Sequence, residues 1–150
     1  MVPRSAIAWL VVACASPAAD APSPRDFPPL DGNAQILGIG DSIMAFNEPD
    51  QDITAVVADE LDTTHELAAV GGETMLGDEA NRIPWQYEVA RDGQYALVIA
   101  TGGGNDLGEC TCGVSCDPVL DTLISADATS GAIVDLVEQG IADGRQFAWV

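Results

Sequence analysis

The sequence contains no lysine. Its 5 Lys+Arg residues are all arginine and stand against 24 Asp+Glu, a formal net charge of −19. Binding to nucleic-acid phosphates runs on clustered cations, so no nucleic-acid partner is expected. Electrostatic docking on anionic lipid is excluded for the same reason. Aromatic residues are scarce at 5%, yet 47% of the chain is hydrophobic. The core must therefore be aliphatic, and the composition is globular rather than disordered. No uninterrupted apolar run approaches the ~20 residues of a membrane-spanning helix. A chain of 150 residues is expected to make one domain that buries roughly two thirds of its unfolded surface.

Residues 1–14 read as a signal segment. Arg4 is the only charge ahead of the apolar stretch Ala6-Ile7-Ala8-Trp9-Leu10-Val11-Val12-Ala13, which ends at Cys14. A basic start, a short apolar stretch and small residues at the break suit export. Val11-Val12-Ala13-Cys14 resembles a bacterial lipobox, which would make Cys14 a lipidated N-terminus and a membrane tether. A plain signal peptide cut near Ala15-Ser16 is the other reading. The expected location is the periplasm, as a free or membrane-anchored lipoprotein, or alternatively the exterior. Residues 15–32, with Pro17, Pro22, Pro24, Pro28 and Pro29, read as an extended tether. Residues 33–150 are then the folded domain.

The remaining cysteines, Cys110, Cys112 and Cys116, fall within one short stretch. In an exported chain such thiols pair as disulfides more readily than they bind metal. Three thiolates with no histidine nearby do not complete a zinc site, and no cofactor is expected. Either Cys112–Cys116 or Cys110–Cys116 can close a small loop. The odd thiol is free or pairs with a residue beyond position 150.

Strand and helix signals alternate through the domain. Gln35–Ile39, His65–Val70, Tyr95–Ala100 and Gln146–Val150 read as strands. Ile53, Val56, Val57 and Leu61 share one helical face, as do Ile133, Leu136, Val137 and Ile141. Residues 77–82 read as a short helix stopped by Pro84. Apolar strands separated by helices predict a flavodoxin-like parallel sheet in a three-layer α/β/α arrangement, cut off at its fourth strand. Ligands in such sheets sit beyond the carboxyl ends of the strands. There the sequence places Gly40-Asp41-Ser42, Gly71-Gly72-Glu73-Thr74 and Gly103-Gly104-Asn105-Asp106. A hydroxyl, a bare glycine and a side-chain amide are expected to meet on one rim.

These strings resemble the blocks of the SGNH (GDSL-type) hydrolase family. Gly40-Asp41-Ser42-Ile43 is similar to its first block, Val70-Gly71-Gly72-Glu73-Thr74 to its second, and Gly103-Gly104-Asn105-Asp106-Leu107 to its third. The resemblance implies a serine ester hydrolase. It makes Ser42 the nucleophile, with Gly72 and Asn105 in the oxyanion hole. Asp41 and Asp106 are read as structural, and Glu73 as a solvated carboxylate. The substrate would be a small-molecule, acylated-glycan or lipid ester. Where the family has an asparagine ahead of the second glycine, this chain has Leu67. The family's fourth block, Asp-x-x-His near the end of the domain, would supply base and acid, and that spacing is read as absent from the whole chain. His65 is expected to be structural. The chain is therefore expected to be a fragment with little or no turnover, the alternative being a catalytically dead carbohydrate- or lipid-binding relative.

Overall fold

Alternation along two short strands decides which side of the sheet each helix covers. A computed structural model of the chain describes residues 30–46, 51–78, 82–110 and 115–150. Strand β1 is Ile36–Ile39 and strand β3 is Leu97–Ala100. Leu37, Ile39, Val98 and Ala100 point to one face, where they pack with Ile83, Tyr87 and Leu136. Ile36 and Ile99 point to the other, where they pack with Met44 and Ala58. Successive strand side chains alternate faces, so an apolar run with no polar interruption needs cover on both sides.

That cover comes from helices α1 (Ile53–Glu60), α2 (Ile83–Ala90) and α4 (Ala132–Ala142). Strands β2 (His65–Leu67) and β4 (Gln146–Trp149) complete a four-stranded sheet of order β2-β1-β3-β4, parallel throughout. Helix α1 lies on one face, and α2 and α4 on the other. This is the expected flavodoxin-like α/β/α arrangement. The chain leaves β1 toward β2 and returns to β3 on the other side. The switch point, where ligands bind in such sheets, therefore lies between the ends of β1 and β3. Among the described residues no helix is long and apolar enough to cross a membrane.

Three local expectations are corrected. Of the expected face of α1, Ile53 and Val57 do pack against the core, but its buried residues are Thr54, Ala55 and Ala58, while Val56 and Leu61 are 52% and 61% exposed. Gly38 on β1 is the reason. A Cβ there would lie 2.1 Å from Thr54 Oγ1, so the helix sits close enough to the strand that position 38 must lack a side chain. The second correction concerns 77–82: Gly77 and Asp78 are not helical, and the helix starts at Ile83 with Pro84 in its first turn. Proline suits that turn because its absent N–H would have no intrahelical acceptor there. On α4, Leu136 is buried but Ile141 is 59% exposed, its place against the sheet being taken by Gly140.

Two elements were not expected: a 3-10 helix at Asn105–Glu109 and helix α3 at Asp117–Leu123. The Cys110–Cys116 disulfide joins them, with a Cα–Cα distance of 5.6 Å, and so selects one of the two expected pairings. Cys14 and Cys112 lie outside the described residues, as do the signal segment and the tether as far as position 29. Leu30 already packs against the core, and Gly32 N–H donates to Glu66 Oε2 at 3.1 Å.

At the amino end of the strands a charged and aromatic cluster closes the body. The buried Arg145 guanidinium lies 5.1 Å from the Tyr87 ring centroid and 5.5 Å from that of Tyr95. Arg145 Nη2 donates to the carbonyls of Arg91 and of Gly93, the latter at 3.0 Å. Tyr87 Oη donates to Asp143 at 2.9 Å and Tyr95 Oη to Glu66 at 2.5 Å. A cation between two ring faces, with its donors on backbone carbonyls, ties α2, β2 and the α4–β4 turn together.

Candidate active site

The turn after β1 presents Ser42. Gly40 enters it at φ +147, and a Cβ there would meet Thr101 Oγ1 at 2.3 Å and the Thr101 carbonyl at 2.8 Å. Only glycine fits between β1 and the end of β3. The next residue, Asp41, is buried. Its Oδ1 accepts from Ile43 N–H at 3.0 Å and from the Thr101 hydroxyl at 3.2 Å. Ala45 N–H then bonds to the Asp41 carbonyl at 3.1 Å, making a single helical turn. Asp41 thus holds the turn locally, as aspartate commonly does. Ser42 is left exposed between the buried Asp41 and Met44.

Gln86 holds this turn from the α2 side. It is fully buried, and its side-chain amide pairs with the Gly40 peptide in both directions. Gly40 N–H donates to Oε1 at 2.6 Å, and Nε2 donates to the Gly40 carbonyl at 2.9 Å. Val70 N–H reaches the same carbonyl at 3.1 Å, which draws the end of β2 to the end of β1. Losing Gln86 would leave the Gly40 N–H unsatisfied, a cost of about 1–3 kcal/mol, while the carbonyl would keep Val70 N–H. Reading the sequence did not single out Gln86. A signal was present: with Ile83, Tyr87 and Ala90 it falls on the inward face of α2, where a polar residue must have a partner.

The second string arrives beside the first. A Cβ at Gly71 would lie 3.6 Å from Ser42 Cβ. Gly72 has φ +89, is exposed, and would place a Cβ in open space. Glycine is required at Gly72 by the backbone angle, not by crowding, and it leaves the peptide uncovered.

The third string is bonded to the second. Asn105 Nδ2 donates to the Glu73 carbonyl at 2.8 Å. An amide nitrogen carries two N–H donors, so one stays available. Asp106 is buried, and its two oxygens accept from Met75 N–H at 2.9 Å and Leu76 N–H at 2.8 Å. The neighbouring pair Asn105 and Asp106 therefore fixes the path of residues 73–76. Glu73 itself is 4% exposed, which corrects the expectation of a solvated carboxylate. A cleft of about 290 Å³ opens next to these residues, lined by Thr74, Leu76, Gly77, Asp106 and Val119.

His65 is not part of this rim. The spacing Asp-x-x-His does occur once, at Asp62-Thr63-Thr64-His65. It precedes the third string, however, and the fold sets it aside. His65 pairs with Ile36 at the amino end of β1, whereas Ser42 lies past Ile39 at the carboxyl end. The strand alone separates them by roughly 10 Å. Among the described residues no group of three or more His, Cys, Asp or Glu is placed to hold a metal ion.

No family model and no curated protein matches the chain. Among solved structures, a candidate acylhydrolase from Bacteroides fragilis is 19% identical with a TM-score of 0.45; the match covers 83% of this chain and 51% of that one. A carbohydrate esterase of family 2 with its carbohydrate-binding domain, from Corynascus thermopiles (Myceliophthora fergusii), is 19% identical with a TM-score of 0.49. Its match covers 89% of this chain and 46% of that one. The chain thus spans about half the length of the solved chains it matches.

Proposed function

We propose that the chain carries the nucleophile and the oxyanion hole of a serine ester hydrolase. The carrying observation is the junction of three loops. Gly71 lies against Ser42, Gly72 stands bare beside it, and the Asn105 amide is bonded to the residue that follows Gly72. Ser42 Oγ attacks the ester carbonyl, and the developing negative charge falls on the carbonyl oxygen. The N–H groups of Ser42 and Gly72 and the second N–H of Asn105 receive that charge. Donors set in advance for a developing oxyanion are worth roughly 10²–10³ in turnover each. Neutral esters suit the rim better than anionic ones, because Asp41, Glu73 and Asp106 are all buried around it.

A serine needs a base to act at neutral pH. His65 is at the wrong end of the sheet, so the base and acid come from outside these residues. By itself the chain turns over weakly or not at all. The Cys110–Cys116 bridge supports an exported location, whether by a plain signal or by lipidation of Cys14, since such bonds persist in oxidising compartments.

The test uses the 150-residue chain, a fluorophosphonate probe and added imidazole as a diffusible base. Labelling should fall on Ser42 and accelerate with imidazole, and Ser42→Ala should remove it. Labelling at another residue would end the assignment. No labelling with imidazole present would favour a non-catalytic binding relative.

A further inference from the structure

A second cleft, of about 530 Å³, runs between α2 and α4, and its lining includes Leu76, Trp85, Glu88, Asp135 and Gln139. We infer that it binds the neutral, polyhydroxylated part of the substrate, making that substrate an acylated glycan. This inference deepens the hydrolase reading and rests on it.

Position is the first argument. Helices that precede parallel strands start at the carboxyl edge of the sheet. The first turns of α2 and α4 therefore stand at the same rim as Ser42. Of the cleft's residues on those helices, Trp85, Glu88 and Asp135 occupy the first two turns, and Gln139 opens the third turn of α4. Its upper wall is Met75 and Leu76, the two residues whose N–H groups Asp106 holds. Leu76 also lines the smaller cleft beside Asn105, so one side chain borders both. The two clefts thus share a wall at Leu76, and the smaller one includes Asp106, the neighbour of Asn105.

Chemistry is the second. The lining offers one half-buried indole, two carboxylates and a carboxamide. Gln139 Nε2 donates to Glu88 Oε1 across the cleft, so the two helices share a polar bridge within it. Sugar rings carry apolar C–H faces that lie on an indole, and hydroxyls that donate to carboxylates and amides. An anionic ligand would face Glu88, Asp135 and a chain of net charge −19, while the cation in the lining, Arg82, is already engaged. A long acyl chain would cover Asp135 and the Glu88–Gln139 pair and offer neither a hydrogen bond. The volume lies in the range of about 300–1,000 Å³ typical of small-ligand sites.

The experiment titrates the 150-residue chain with neutral β-1,4-linked hexasaccharides of xylose, glucose and N-acetylglucosamine. It follows tryptophan emission and the heat of binding. At least one sugar should bind saturably, to the chain and to Ser42→Ala alike. Trp85→Ala should weaken it by about tenfold or more, the scale of a lost aromatic stack. Glu88→Gln and Asp135→Asn keep the side-chain shape and should each weaken it by roughly two- to tenfold, a hydrogen bond's worth. Thermal melts of each variant separate lost binding from lost folding. The inference is overturned if no hexasaccharide binds, if the three variants bind as tightly as the parent, or if dodecanoate occupies the cleft in place of sugar. If Ser42 resists the phosphonate while sugars bind through Trp85, the hydrolase reading fails and the glycan site stands. If Ser42 is labelled and sugars do not bind, the glycan site fails alone.

Discussion

The two ends of this sheet are built in opposite ways. At the amino end Arg145 fills the space between two tyrosine rings, and carbonyls and carboxylates meet the surrounding donors. At the carboxyl end the chain spends its polar bonds on backbone instead. Asp41, Gln86 and Asp106 each hold a loop peptide, and Ser42 and Gly72 are among the residues left exposed, with Ile43, Phe46 and Gly104. One end is closed by side chains; the other is held open by them. The buried carboxylates and amide at the open end fix the loops, and the exposed residues between them are the ones proposed to act on substrate.

Substitutions can break this contrast. The largest effect is expected from Ser42→Ala, which should abolish phosphonate labelling and leave thermal stability within about 0.5 kcal/mol, as for other exposed positions. Gly40→Ala should cost several kcal/mol, because its Cβ would sit 2.3 Å from Thr101 Oγ1 and 2.8 Å from a backbone oxygen. Asn105→Ala should slow labelling by about 10²-fold, read as the second-order rate with phosphonate. At the closed end, Arg145→Ala should cost about 1.5–3 kcal/mol in urea unfolding, the scale of charged hydrogen bonds. Its labelling rate should stay that of the parent under conditions where both are folded. A large loss of labelling in folded Arg145→Ala would show that the two ends are not independent.

The smallest effect is a pH dependence. Burial, with the Asp143 hydrogen bond second, pushes the Tyr87 hydroxyl up to about 12. Burial, with Glu66 second, raises Tyr95 further still. Both hydroxyls titrate near ~10 in the unfolded chain. Their contribution is therefore fully present below pH ~10 and is lost as pH rises through the folded values. Melting temperature should fall between about pH 10 and 12, and Tyr87→Phe should flatten part of that fall. Asp143 has the opposite sign. The Arg91 hydrogen bond, with that of Tyr87 second, holds its carboxyl low, so its small contribution is lost only as pH falls below the usual carboxylate range.

Much of this was legible in the residues. Strands made wholly of aliphatic side chains imply cover on both faces, and that alone predicts the parallel sheet and the rim where Ser42, Gly72 and Asn105 stand. What was not legible depended on close approach. The helix α1 turns its small residues inward because Gly38 lets it, and spacing counts only large apolar residues. Pro84 marks a start rather than a stop, a distinction that local sequence does not make. Helix α3 has too few apolar positions to show a period. Glu73 looks like a surface residue until the loops around it are closed, and the inward place of Gln86 shows only once α2 is known to start at Ile83.

The most direct test of the central claim is the structure of the chain with phosphonate bound to Ser42. The account predicts the phosphoryl oxygen at about 2.7–3.1 Å from Gly72 N and from Asn105 Nδ2. An adduct oxygen turned to solvent, touching neither donor, would contradict it.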